Sequence, residues 1–466
     1  MSRISITNIK QTNQDRTMKQ TSPNQNNRIF YLPLGCPKNS IDGEVMLKTL
    51  TDRGYTLAHT ADQCDGVLVN TCGFIESAKN EAIENILELA ELKREGAIKV
   101  IVAAGCMTER YKDDFLKELP EVDAIIGAHA YGDVAKVFDA AFAGRPVNAL
   151  CDINASVEER ERLVTTPPFT AYVKISEGCD NHCAYCCIPM IRGRLRSRTM
   201  ENIEAECRKL AGSGAKELIL VAQDTTAYGT DIYGKPSLTP LLRRLCRIDR
   251  LEWLRIHYMY PQGIDDELIE CIAKNPKIVR YLDIPIQHFD DGILKSMNRR
   301  YTGGKALALI EKLRRCIPGV VLRTSLIAGL PGEGENEFET LCAAVRRAGF
   351  ERAGVFAYSP EEGTAAASLP NQVEPEERER RREQLALICM ETQEAYQEAQ
   401  AGRTVRVLCE GYDRLAGCFA GRTFADSPDI DGKVFFTADA ETSPGDMIDI
   451  LVEELMDCDL VGKRIG

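Results

Sequence analysis

From Arg28 to about residue 150 the chain alternates apolar runs with stretches of helical period, and each apolar run ends in a cysteine. RIFYLPLGC ends at Cys36, GVLVNTC at Cys72 and KVIVAAGC at Cys106. The stretches that follow, SIDGEVMLKTL, SAKNEAIENILELAELK and TERYKDDFLKEL, predict helices. Strands alternating with helices predict a parallel sheet with right-handed crossovers over residues 29–150. The carboxyl ends of such strands lie along one edge, where ligands bind. Three cysteines, each closing its own strand, should therefore converge, with Gly35, Gly73 and Gly105 letting backbone come close to a bulky group.

Residues 165–380 carry six further strand candidates, AYVKISEG, ELILVAQD, WLRIHYMY, VRYLDIPIQ, VVLRTSLIAG and RAGVFAYS, separated by helical stretches. Six β–α units predict a partial (β/α)6 barrel, open on one side, with its site at the carboxyl ends of the strands. The charged run EPEERERRREQLALICMETQEAYQEAQ, residues 374–400, reads as a solvent-exposed helix, and the linking helix is bounded at 381–402. Residues 403–466 hold short apolar runs broken by Gly, Pro and Asp, which predicts a small β-barrel. Residues 1–28, rich in Asn, Gln, Thr and Ser, read as a disordered extension without the apolar core of a secretory signal. The fold class is thus multidomain α/β with a C-terminal all-β module.

Composition narrows the class. The 466 residues carry a net charge of −12 at a pI of about 5.2, which disfavours general binding to a nucleic-acid backbone. No run approaches the roughly 18 apolar residues of a membrane span, so a soluble, cytoplasmic chain is expected. In that compartment thiols stay reduced, so the 18 cysteines are not a disulfide framework. Cys207, Cys246, Cys271, Cys316, Cys342 and Cys389 lie in helix-like stretches and read as buried core thiols. Cys64 lies in a polar stretch and stands apart from the three strand-end cysteines.

The densest chemistry is EGCDNHCAYCCIP, which places Cys179, Cys183 and Cys186 in a C-x3-C-x2-C run. Zinc sites use paired C-x2-C hairpins or a fourth ligand, which this run lacks. Three thiolates leave one iron of a four-iron cluster open to bind a further molecule. Cys187, next to Cys186, reads as structural, since adjacent side chains rarely reach one cluster together. The five histidines, His182 in the cysteine loop among them, have no setting for an acid–base triad.

C-x3-C-x-aromatic-C on the first loop of a partial barrel resembles the radical S-adenosylmethionine superfamily. That resemblance implies a cluster whose open iron holds S-adenosylmethionine and cleaves it to a 5′-deoxyadenosyl radical. It also implies cofactor contacts from Tyr185 near the adenine, from Gln223 and Asp224 after the second strand, and from Ser325, Gly329 and Glu333 around the fifth. From residue 29 to the end the chain is similar to the methylthiotransferases, which join a three-cysteine domain, a radical barrel and a TRAM barrel. LGCPKN, VNTCGFIESAK, GCMTERY, YLDIPIQH and SPDIDGKVFF resemble the RimO type, which acts on the β-carbon of an aspartate in a small-subunit ribosomal protein, S twelve. The relatives that modify adenosine in tRNA carry a YGCQMN-like first motif instead.

The resemblance implies two 4Fe-4S clusters, one on Cys36, Cys72 and Cys106 and one on Cys179, Cys183 and Cys186, together with an electron-donor protein. The rival readings are a tRNA methylthiotransferase, an iron–sulfur carrier or scaffold, and a zinc module. Residues 403–466 hold seven Lys or Arg against thirteen Asp or Glu. That acid excess suits a basic ribosomal protein and should repel free tRNA.

Overall fold

A computed structural model describes residues 27–465 apart from Pro146 and Glu158, so residues 1–26 of the extension expected over 1–28 lie outside the described residues, while Arg28 already belongs to the first strand. The chain forms two compact units. The first runs to Thr165 and includes Glu177–Asp180 and Cys186–Arg196; the second holds Thr166–Ser176, Asn181–Tyr185 and the chain from Ser197.

In the first unit, strands β1 (Arg28–Pro33), β2 (Thr56–Ala58), β3 (Gly66–Thr71), β4 (Val100–Gly105) and β5 (Ala124–Gly127) form one parallel sheet in the order β2-β1-β3-β4-β5. Its helices are α1 (Pro37–Arg53), α2 (Glu76–Arg94), α3 (Cys106–Glu118), α4 (Val134–Phe142) and the short α5 (Ile188–Arg192). Helices cover both faces, so successive strand residues enter opposite cores. Ile29, Leu68, Val102 and Ile126 pack with α1 and α4, while Phe30, Val67, Val69 and Ile101 pack with α2 and α3. Burial on both faces explains the unbroken apolar runs. The two edge strands, β2 and β5, escaped the sequence reading because neither forms a long run closed by cysteine.

The second unit contains all six expected barrel strands: β6 (Thr170–Lys174), β7 (Glu217–Val221), β8 (Trp253–Ile256), β9 (Ile278–Asp283), β10 (Val321–Ala328) and β11 (Arg352–Ala357). They pair in parallel and in strict chain order as a six-stranded sheet. Leu218, Leu220, Leu254, Ile256, Leu322 and Leu326 share one core with residues of the helices α6 (Met200–Gly212), α7 (Leu238–Leu245), α8 (Asp266–Lys274), α9 (Gly303–Cys316) and α10 (Glu335–Ala348). The period of two leaves Glu217, Arg255, Tyr281 and Arg323 on the opposite, concave face.

Helix α11 spans Pro375–Glu398, beginning earlier than expected because Pro375 takes its first position and two acids fill its first turn. It is not wholly solvated: Leu385, Ile388 and Cys389 enter the barrel core, and its charges cover the remaining faces. Cys207, Cys271, Cys342 and Cys389 are buried as expected, and Cys246 is half-buried. Cys316, expected in the core, is exposed, because it falls off the buried stripe of Ala306, Ile310, Leu313 and Ile317. Cys64 is buried and donates to Ala61 O.

At the C-terminus β12 (Thr404–Asp413), β13 (Cys418–Thr423), β14 (Val434–Thr437), β15 (Met447–Met456) and β16 (Asp459–Arg464) close a barrel around Val407, Cys409, Val434, Phe436 and Ile450. The segment from Arg422 to Asp431 enters the concave side of the six-stranded sheet. Arg422 reaches Glu217 at 2.7 Å and Thr170 Oγ1 at 3.3 Å, while Arg255 donates to Phe424 O at 2.9 Å. Arg352 donates to Asp426 at 2.7 Å, Tyr281 donates to Asp431 at 2.7 Å, and Ser427 Oγ lies 3.2 Å from His257 Nε2. Phe169, Trp253, Val279 and Val321 meet Leu408 and Ala425 in a shared apolar cluster. These contacts begin at the amino ends of the strands, leaving the carboxyl ends for chemistry. No described helix is long and apolar enough to cross a membrane.

Candidate active site

The first triad stands where the parallel topology requires. Cys36 follows β1 and precedes α1, Cys72 follows β3, and Cys106 opens α3 directly after β4; these strands are neighbours in the sheet. Polar residues lock the three turns together. Asn39 Nδ2 donates to Thr71 O at 2.9 Å, Asn70 Nδ2 to Asn39 O at 2.8 Å, and Thr71 Oγ1 to Ala104 O at 2.7 Å. Gly105 turns the chain into α3 at φ 103°, and a Cβ there would come within 2.6 Å of Thr71 O.

The thiols feel one another. Burial, then the neighbouring sulfurs of Cys106 and Cys36, push the Cys72 thiol up to about 12. Burial raises the Cys106 thiol as well, against the opposing charge of Arg192. Cys36 and Cys72 are half-buried and Cys106 is buried, and the raised thiols of Cys72 and Cys106 are donors whose thiolate form a cationic iron cluster would favour. Among the described residues no group of three or more His, Cys, Asp or Glu side chains is arranged to hold a single metal ion. In a four-iron cluster each thiolate binds its own iron, so the sulfurs need not meet at one point. Cys187, fully buried, donates to Phe74 O at 3.6 Å and packs with Cys106, Ala128 and Ile191.

The second triad lies on the loop after β6. Cys179 N donates to Gly193 O at 3.1 Å within the first unit. In the second unit Arg299 Nη1 donates to Cys183 Sγ at 3.6 Å, and Ala184 is fastened to Met297 O and Ala366 N. His182, at φ 50°, accepts from Asn298 through its carbonyl. Tyr185 packs in one apolar cluster with Leu330, Ile327, Tyr358 and Ile293, so two of the segments expected to contact the cofactor meet here.

Asp224 accepts from Asn181 of the cysteine loop at 2.7 Å and from Thr226 Oγ1 at 2.6 Å, which binds the end of β7 to that loop. Gln223, beside it, is half-buried. Ser325 lies on the concave face of β10, two residues from Arg323. Gly329, at φ 79°, donates its N–H to Glu333 Oε1 at 2.9 Å. Glu333 is buried, takes a further bond from Arg381 at 3.0 Å and lies 3.2 Å from His288 Nε2, so its carboxylate shapes the loop from within. Arg192 and Arg299, each aimed at one triad sulfur, escaped the sequence reading. Arg192 sits in IRGRLRSR, where spacing alone does not distinguish a buried guanidinium from solvated ones.

A relative from Lachnoclostridium phytofermentans, called ribosomal protein uS12 methylthiotransferase RimO, is 45% identical over 436 residues, covering 93% of this chain and 99% of its own. One of the same name from Myxococcus xanthus is 45% identical over 453 residues, covering 96% and 93%. The chain belongs to the RimO methylthiotransferase family. RimO architecture accounts for the three segments in order. Residues 28–127 match the uncharacterized protein family UPF0004, residues 173–345 the radical SAM superfamily, and residues 401–465 the TRAM domain. The solved radical S-adenosylmethionine methyltransferase TsrM from Kitasatospora setae shares the fold at a TM-score of 0.54 and 14% identity, covering 73% of this chain and 77% of that one. As a RimO-family member, the chain is a radical S-adenosylmethionine methylthiotransferase, and membership implies S-adenosylmethionine and a four-iron cluster.

Proposed function

We propose that this chain replaces one hydrogen on the β-carbon of an aspartate in ribosomal protein uS12 with a methylthio group, in the cytoplasm, using two four-iron clusters. The observation that carries this reading is the near-full-length identity to RimO proteins, which extends through all three segments. Cys36, Cys72 and Cys106 hold the cluster that carries the sulfur to be transferred. Cys179, Cys183 and Cys186 hold the cluster that binds S-adenosylmethionine. When bound, that pair supplies a radical able to remove hydrogen from a carbon with no acidic proton, which acid–base catalysis does not reach.

The chain's own residues position and enclose. Tyr185 and the Ile327–Gly329 turn form an apolar wall for the adenine, and Gln223 and Ser325 offer polar groups at the strand ends. Asp224 and Glu333 hold the two loops to which these contacts belong. The acid excess of the last module favours a basic protein over RNA. An electron-donor protein supplies the reducing equivalents. The decisive experiment incubates the anaerobically reconstituted chain separately with uS12 and with bulk tRNA, in the presence of S-adenosylmethionine, a sulfide source and a reductant. Mass spectrometry is expected to find one methylthio group on a uS12 aspartate. Methylthiolation of the tRNA alone would move the chain to the adenosine-modifying class.

A further inference from the structure

Arg192 ends α5, and its side chain is among the most deeply buried in the protein. Nη1 donates to Asp42 Oδ2 at 2.6 Å and to Glu177 Oε2 at 3.3 Å. Nη2 donates to Cys106 Sγ at 3.2 Å and to Asn39 Oδ1 at 3.3 Å. A guanidinium this deep must be paired, and the two carboxylates meet that need. They do not explain why the other arm of the fork is turned onto a triad sulfur. Asn39 does: its side-chain amide donates to Thr71 O, its backbone carbonyl accepts from Asn70, and its Oδ1 accepts from Nη2 beside Cys106. A fixed cation that also donates a hydrogen bond to a cluster thiolate favours the more negative, reduced state of that cluster.

We propose that Arg192 is a positioning residue of the first cluster: it holds the Cys106 thiolate by a charge-assisted N–H···S bond and raises the cluster's reduction potential, while Asp42 and Glu177 limit that rise. The inference rests on the two-cluster reading. It also gives α5 a purpose. The helix begins two residues after Cys186, so one short stretch carries a ligand of the second cluster at one end and the donor to the first at the other.

The test uses the full chain with Cys179, Cys183 and Cys186 replaced by Ala, reconstituted anaerobically so that only the first cluster remains. About four irons are expected; none would remove the two-cluster reading and this inference with it. In that background a spectroelectrochemical titration follows Arg192→Gln. At a fixed potential its reduced-to-oxidised ratio should fall at least tenfold, which is 59 mV for a one-electron couple. Asp42→Asn keeps the donor and removes a counter-charge, so its midpoint should move the opposite way, and Arg192→Lys should fall between Arg192→Gln and the parent. A cluster that assembles in Arg192→Gln with an unchanged midpoint, or shifts in the same direction in Arg192→Gln and Asp42→Asn, overturns the proposal. If Arg192→Gln holds no iron, Asp42→Asn and Arg192→Lys decide: opposite shifts support the proposal and unchanged midpoints overturn it.

Discussion

Glu217 lies fully buried between Arg255 at 2.8 Å and Arg422 at 2.7 Å. Burial pushes its carboxyl upward, but the two guanidiniums prevail and bring it down to about 2. A carboxyl depressed in the fold stabilises it above the ordinary value of about 4.3, and that stabilisation is lost as pH falls towards 2. His257, buried beside Ser427, is driven down to about 3 chiefly by burial. The folded state holds it neutral, so stability also declines as pH falls from the ordinary value of about 6.5 towards 3. Melting temperature measured across this range should therefore fall continuously below about pH 6.5, and His257→Gln should flatten the upper part of the decline. Glu217→Gln strips Arg422 and Arg255 of their shared anion and should cost about 3–5 kcal/mol in chemical denaturation at neutral pH. None of this was visible beforehand. ELILVAQD and WLRIHYMY read as strands, but which face Glu217 and Arg255 occupy, and that a segment some 200 residues later neutralises them, is fixed only by the tertiary fold.

At the level of elements, a strand that runs straight into a helix at a cysteine is the recurring device, and Gly105 is its tightest instance. An L side chain at the φ 103°, ψ −147° of Gly105 pays about 1–3 kcal/mol for the backbone alone, and here its Cβ would also sit 2.6 Å from the Thr71 carbonyl. Gly105→Ala should push β3 and β4 apart at their carboxyl ends. The reconstituted protein is expected to lose the iron of the first cluster while still cleaving S-adenosylmethionine, as read by iron analysis and 5′-deoxyadenosine release. The strands that carry cysteines were legible because burial on both faces writes a long apolar run. The short β2, TLA, and the barrel strands β13 and β16 were not, since CFAGRT and DLVGKR show neither a run nor a clean alternation. Helix α11 was found by its charge, yet its buried face, where Leu385, Ile388 and Cys389 are joined by Arg381 and Gln397, was masked by that charge.

For the whole molecule, the two triads predict a separation of labour. Wild-type protein should hold about eight irons after anaerobic reconstitution. Cys72→Ala should still form 5′-deoxyadenosine under reducing conditions but leave uS12 unmodified, measured by chromatography and mass spectrometry of the same reaction. Normal product from Cys72→Ala would refute the sulfur-carrying role of the first triad. The strand-end placement of Cys36, Cys72 and Cys106 was legible from spacing alone, because each closes an apolar run that is buried on both faces. Arg192 and Arg299 leave no such mark, since a cation's partner depends on three-dimensional approach. The segment from Arg422 to Asp431 has a further consequence for how the chain is made. A ribosome releases Glu217 and Arg255 long before Arg422, Asp426 and Asp431 exist, so the concave face of the sheet waits with its Glu217–Arg255 pair uncovered while some two hundred residues are added. Contacts so distant along the chain close slowly, and during that interval the half-built barrel is a candidate for chaperone capture. The protein that would modify the ribosome thus completes its central fold only once residues 422–431 have been made.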